Sequence, residues 1–195
     1  MDKNFITNFG GAVLAGGESK RMGFNKALIE VDGEPLISRV ANSINRVGIA
    51  DLKIVGGDSE SFELLGYECL ADEYPGEGPL GGIITALNYF KTQGKKHVLI
   101  VACDLPNISE ILINQILEDS LTEPKSIVLP VVEGHLQWMH TLWPTTVLTT
   151  LLKSFLSGVR APWRATEGLP LLKIEGVDPL VLFDVDQPED LIKVL

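Results

Sequence analysis

The run His97–Ala102 (HVLIVA) is apolar at almost every position, bounded by Lys95 and Lys96 on one side and Asp104 on the other. A strand without polar alternation has no face to offer water, so helices must cover it on both sides, as in a parallel sheet. Further short apolar runs fall at Gly11–Ala15, Leu52–Val55, Ser126–Val132 and Val181–Val185, with a weaker one at Tyr67–Ala71. Helical patterns separate them. Leu36–Val47 is apolar at 36, 37, 40, 44 and 47, and Gly48 stands where a C-cap glycine belongs. Pro79 opens a second helix that continues through Leu80–Phe90, and Ser109 caps a third, Glu110–Asp119. Thr146–Leu156 and a short Glu189–Val194 follow, while Gly158–Gly176 is the least regular stretch. This alternation predicts an α/β fold: a three-layer α/β/α sandwich around a mostly parallel sheet. With 195 residues, no internal repeat and no linker composition, the expectation is a single domain over 1–195.

Charge and cysteine usage exclude several classes. The 16 basic and 26 acidic residues give a net charge of −10, the wrong sign for a protein that holds nucleic acid by phosphate neutralisation. Cys69 and Cys103 make neither a disulfide scaffold nor a CxxC zinc site, which fits a reducing cytoplasm. No apolar run approaches the roughly 18 residues of a membrane helix, and the start MDKNFITNF lacks the apolar core of a signal peptide.

The segment after the first strand is the most informative. Leu14-Ala15-Gly16-Gly17-Glu18-Ser19-Lys20-Arg21-Met22-Gly23-Phe24-Asn25-Lys26 places three glycines and three basic residues beyond the carboxyl end of a strand, where open α/β sheets bind ligands. Glycines let backbone N–H groups approach an anion, Arg21 offers a planar fork and Lys26 a point charge. A triphosphate satisfies that pattern; a glycine-rich surface turn with solvated lysines does too. No Walker loop is present.

Other constellations read two ways from the residues alone. Asp104, in Ala102-Cys103-Asp104-Leu105-Pro106, ends the strongest strand and suits either a Mg²⁺ ligand or a turn-capping carboxylate. Asp72 suits a base edge, a ribose or a solvated face. Gly76-Glu77-Gly78-Pro79-Leu80-Gly81 spells GxGxxG but lacks an adjacent strand and the acid about 20 residues on, so it is not a dinucleotide fingerprint. His135, Gln137 and His140 have no metal-ligand spacing. Asp184 and Asp186, two apart on an expected strand, would share a face; Pro188-Glu189-Asp190 equally starts a helix.

The spelling LAGGxSxRMGxxK resembles the signature of the nucleotidyltransferases that activate the molybdenum cofactor, and is most similar to the molybdenum cofactor guanylyltransferases. Gly78-Pro79-Leu80-Gly81-Gly82-Ile83 resembles their GPLxGI pocket motif, and Cys103-Asp104-Leu105-Pro106 their CDxP. The resemblance implies a Rossmann-like nucleotidyltransferase of the nucleotide-diphospho-sugar transferase type, with a nucleotide-binding half at about 8–107 and a pterin half at about 108–195. It implies GMP transfer from GTP to (molybdo)molybdopterin, releasing pyrophosphate. Arg21, Lys26 and Asp104 would be catalytic, with Asp104 holding Mg²⁺. Leu14, Ala15, Gly16, Gly17, Lys26, Asp72, Gly78, Pro79, Leu80 and Asp104 would bind the nucleotide. Arg160 and Asp186 would meet the acceptor, and proteins that make or receive the cofactor would be partners. His135–Trp143 is similar to HxQPLxALY, which borders the pterin in that family, with Trp138 in the place of proline. Two departures stand out. Gly56-Gly57-Asp58 replaces an Asn after the second strand, and Phe183-Asp184-Val185-Asp186-Gln187-Pro188-Glu189-Asp190-Leu191 carries aspartates where FxNxNTPEDL has asparagines. The aspartates lean toward a cytidylyl or sugar-phosphate transferase on the same fold, while LAGG and GPLGG oppose that alternative. A nucleotide-binding module without chemistry is the reading from another class.

Overall fold

The computed structural model describes residues 6–16, 25–185 and 190. Its strands are β1 (Phe9–Leu14), β2 (Glu30–Val31), β3 (Glu34–Pro35), β4 (Leu52–Val55) and β5 (Cys69–Leu70), then β6 (His97–Ala102), β7 (Ile127–Val132), β8 (His135–Leu136), β9 (His140–Pro144) and β10 (Leu171–Ile174). The helices are α1 (Leu36–Arg46), α2 (Ser59–Leu64), α3 (Pro79–Thr92), α4 (Glu110–Thr122), α5 (Leu148–Leu156) and α6 (Pro162–Ala165). Among the described residues one sheet runs in the order β10-β7-β9-β6-β1-β4-β5, with β8 paired to β7. The pairs β1–β4, β1–β6, β4–β5 and β7–β10 are parallel; β9 runs antiparallel to both β6 and β7.

Both faces of the central strands are buried, as their apolar runs require. Phe9 and Val13 of β1, with Leu99 and Val101 of β6, pack with residues of α1 and α4. Ala12 and Leu14, with Val98 and Ile100, pack on the other face with residues of α3 and α5. The period-2 alternation of strand side chains therefore feeds two apolar layers from one sheet. β1 is the thinnest strand: a Cβ on Gly10 would drive into the Phe90 ring, and one on Gly11 would meet Ile44 and Leu52 at 2.9 Å.

Four of the five expected helices and most expected strands are present among the described residues, with ends shifted by a few residues. Three details differ. Val181–Val185 is not a strand: Pro179–Leu182 forms a 3₁₀ turn, because Pro179 cannot donate to a ladder and Asp178 caps the turn by accepting from Leu180 N at 2.9 Å. The irregular stretch Gly158–Gly176 holds α6 and the edge strand β10, which pairs with β7 from Leu171 to Ile174. Thr146–Leu156 begins as a 3₁₀ turn, Thr145–Val147, before α5. The expected helix Glu189–Val194 lies outside the described residues save for Asp190.

Candidate active site

The parallel strands end together. Leu14 pairs with Val55 on one side and Ala102 on the other, and Val55 pairs with Leu70, so these four residues form one rim. Two residues beyond each lie Gly16, Gly57, Asp72 and Asp104. The residues singled out from separate motifs thus reach one edge because the strands are in register. A cleft of about 920 Å³ opens beside that rim, lined by Leu14, Gly16, Asp72, Gly78 and Pro79 among others, a volume suited to a nucleotide.

Lys26 and Asp104 meet directly: Nζ donates to Oδ2 at 3.0 Å, with the side chains 14% and 24% exposed. Lys26 begins a 3₁₀ turn capped by Asn25, whose Oδ1 accepts from Ala27 N at 3.1 Å. Asp104 follows β6 by two residues. Its position is fixed by Cys103 N, which donates to Leu14 O at 3.1 Å, and by its own carbonyl, which accepts from Val185 N at 3.0 Å. That last bond brings the C-terminal segment to the site. Val185 is buried with Val31 and Leu36, and Asp184 is exposed beside it. The shared strand face expected for Asp184 and Asp186 is not formed at Asp184, which sits in irregular chain after the 3₁₀ turn. Gly17, Arg21 and Asp186 lie outside the described residues.

Burial, reinforced by Asp104, pushes the Cys103 thiol up to about 12, with Lys26 opposing. Cys103 therefore stays protonated and offers no nucleophile at neutral pH. The donor chemistry of Asp104 fits a hard divalent cation, which binds through one or two carboxylates and takes its other oxygens from phosphate and water.

Across the cleft, Gly78 caps α3 with φ of 82°, and Pro79 occupies its first turn. Leu80 is placed differently from its expected role: its side chain is fully buried in the core behind α3. Ala15 packs against the α1-side core, and its N–H donates to Val55 O at 3.0 Å. The Gly56-Gly57-Asp58 departure has a structural use. Both glycines line the cleft at φ of 71° and 77°, and a Cβ on Gly57 would meet Ala15 O at 2.8 Å. Asp58 caps α2, accepting from Ser61 Oγ at 2.6 Å. Sequence reasoning missed Ser59, Glu63 and Cys69 as cleft residues; the signal was the double glycine after β4.

Arg160 does not stand alone in the second half of the chain. Its Nε donates to Glu77 Oε2, its Nη1 donates to Phe155 O at 2.8 Å, and the guanidinium lies 4.1 Å from the Phe155 ring. It is thereby held against the loop that precedes α3. Trp143 is fully buried, while Trp138, 6.2 Å away, is half-buried. His140 is buried as well, and its Nδ1 has no hydrogen-bond partner among the described residues. Met139, the residue before it, lines the cleft and accepts from Ala102 N at 2.9 Å.

Residues 11–169 match the MobA-like NTP transferase domain. The chain belongs to this family. It is 34% identical over 94% of its length to a protein named probable molybdenum cofactor guanylyltransferase from Pelotomaculum thermopropionicum, covering 90% of that relative. Its fold matches that of the crystal structure of molybdopterin-guanine dinucleotide biosynthesis protein A from Archaeoglobus fulgidus, with a TM-score of 0.75, 20% identity and coverage of 94% and 95% of the two chains. A Mycobacterium tuberculosis protein crystallised in complex with manganese shares the fold too, with a TM-score of 0.68, 15% identity and coverage of 96% and 97%. As in other MobA-like NTP transferases, the fold is the mixed α/β nucleotidyltransferase type, and no helix among the described residues is long and apolar enough to cross a membrane.

Proposed function

We propose that this chain transfers GMP from GTP to (molybdo)molybdopterin, forming the guanine dinucleotide form of the cofactor and releasing pyrophosphate. The observation that carries the reading is the Lys26–Asp104 pair, with Asp104 beyond the same row of strand ends that a nucleotide-sized cleft opens beside, in a chain of the MobA-like family. The relative from Pelotomaculum supports the guanine and molybdenum-cofactor assignments by its name.

In this reading the terminal phosphate oxygen of the pterin attacks the α-phosphorus of GTP. A new P–O bond forms as the bond between the α-phosphorus and its bridging oxygen breaks, and the electron pair leaves with pyrophosphate. The attacking phosphate is already ionised, so no general base is required of the protein. What remains is positioning and charge stabilisation. Arg21, Lys26 and the loop amides from Gly16 and Gly17 hold the β,γ-phosphates, and Lys26 has donors for both a phosphate and Asp104. Asp104 would hold Mg²⁺, which supplies charge neutralisation on the phosphate oxygens when bound. Gly78, Pro79 and Asp72 receive the nucleoside, and residues from about 108 onward face the acceptor, with Arg160 and Asp186 its phosphate-side contacts. The proteins that make the pterin and the apo-enzymes that receive it are the expected partners, in the cytoplasm.

Isothermal titration with GTP and CTP, each with Mg²⁺, tests the base assignment. GTP binding at least tenfold tighter than CTP is expected. A preference for CTP would replace the guanylyl reading with the cytidylyl one, and no binding of either would count against both.

A further inference from the structure

One arginine ties together the two chain segments that carry Lys26 and Asp104. Arg39 lies half-buried on α1, one helical turn beyond Leu36. Its Nη1 donates to Val31 O at 3.2 Å, and its Nε donates to Pro106 O at 3.3 Å. Val31 closes the stretch that starts at the Lys26–Leu28 turn, and Pro106 follows Asp104 by two residues. Both acceptors belong to buried residues, whose carbonyls must find partners inside the protein. The same helix holds these segments at its start. Leu36 N donates to Ile29 O at 2.9 Å, and Val31, Leu36 and Val185 share a small apolar cluster. Val185 N in turn donates to Asp104 O at 3.0 Å. The first turns of α1 are therefore the block on which the Lys26 segment, the Asp104 segment and the chain at Val185 all rest.

An ion pair with Asp32 does not account for the arginine. Asp32 Oδ2 is 3.7 Å from Nη1 and its side chain is 69% exposed, and a pair of that kind contributes little. The two carbonyls account for it better. A guanidinium presents donors on separate nitrogens of one rigid plane, whereas a lysine has a single nitrogen on a flexible stem. At 3.2 and 3.3 Å each bond is long for N–H···O, so each is modest, and their joint effect is on placement. Placement matters here because Lys26 Nζ and Asp104 Oδ2 come from the two clamped segments and meet at 3.0 Å. A displacement of about 1 Å at groups that hold reacting atoms costs on the order of 100-fold in rate. We infer that Arg39 is a positioning residue for the Lys26–Asp104 pair. It acts through the backbone, two residues past the carboxylate and five past the ammonium, and so sets how the two charges stand to each other. The inference rests on Lys26 and Asp104 serving the phosphates as proposed above.

The test uses Arg39→Met, which keeps an unbranched stem and removes every donor, and Arg39→Lys, which keeps the charge and one donor nitrogen. Amide hydrogen exchange on the protein without nucleotide comes first. The amides of Ile29, Ile108 and Val185 donate to the carbonyls of Lys26, Leu105 and Asp104, so they report the order of the clamped segments directly. In Arg39→Met these three are expected to exchange at least about tenfold faster, with Val13 and Ile100 in the central strands unchanged. Arg39→Lys should fall between the two, and it carries the comparison if Arg39→Met does not fold. In turnover, Arg39→Met should lower kcat roughly tenfold, with the dissociation constant for GTP kept within about threefold, and Arg39→Lys should recover part of the loss. Arg39→Met added to Asp104→Ala should slow that variant no further, because the two changes act on one pair. Unchanged exchange at the three amides in a folded variant overturns the inference whatever the activity. So does a further tenfold loss on top of Asp104→Ala. If neither GTP nor CTP is turned over, the functional reading falls, and the exchange rates decide the positioning role separately.

Discussion

Lys26 and Asp104 are 78 positions apart in the chain and 3.0 Å apart in the fold. Both are partly exposed, so the pair adds little stability, under about 1 kcal/mol. Its value is to fix an ammonium and a carboxylate where phosphate charge must be neutralised. Lys26→Ala and Asp104→Ala are each expected to reduce turnover on the order of 10²-fold or more with the far-UV circular dichroism unchanged; steady-state kinetics on the two variants checks this. His140 gives a second prediction at this scale. Burial lowers its imidazole to about 3, against an ordinary value of 6.5. The unfolded chain then binds a proton that the folded one refuses, so stability is complete above pH 6.5 and is lost as pH falls toward 3. Between pH 7.5 and 5 the wild type should lose about 2 kcal/mol more than His140→Gln, as read from urea midpoints at the two pH values. His97, also lowered by burial, titrates in the same direction in both proteins and cancels in the comparison.

Gly57 sits where the loop after β4 turns at φ of 77° against Ala15 O and the Phe62 ring. Gly57→Ala combines a disfavoured backbone with a steric clash and is expected to cost about 1–3 kcal/mol, measured as a fall in the chemical unfolding midpoint. Elements of this kind also mark how far the sequence could be read. β1, β4, β6 and β7 are apolar runs buried on both sides, and α1 and α4 carry clear helical spacing, so local pattern was enough. The strands β8 and β9 were not legible, because His135–Leu136 is too short for a period and His140–Pro144 mixes polar residues with a terminal proline. The antiparallel place of β9 between β6 and β7 is decided by long-range pairing. β10 hides among glycines and prolines and is a strand only because β7 offers it an edge. At the site, Asp104 and Gly78 stood out from their neighbours. Thr85 did not, since one threonine on an apolar helix is unremarkable until its partner Asp72, thirteen residues earlier, is seen beside it.

At the scale of the molecule, strands from both halves of the chain join one sheet, and Arg160 near the chain's later part is tied to Glu77 beside the cleft. The two apolar layers share that sheet, so nucleotide held at its rim should stabilise the whole. GTP with Mg²⁺ at about 100 times its dissociation constant is expected to add about 2.7 kcal/mol, visible as a rise in Tm that CTP does not match at the same concentration. The fold was legible because alternation of strands and helices admits few arrangements; the substrate was legible only through the spelling of the loop after β1. That leaves the chemistry itself as the point to test. Purified protein would be incubated with molybdopterin, Mg²⁺ and either GTP or CTP, with pyrophosphate release and the mass of the pterin product followed together. GTP is expected to yield pyrophosphate and a pterin heavier by one GMP, both dependent on molybdopterin. A cytidylyl product, or GTP bound with no pyrophosphate formed, would contradict it.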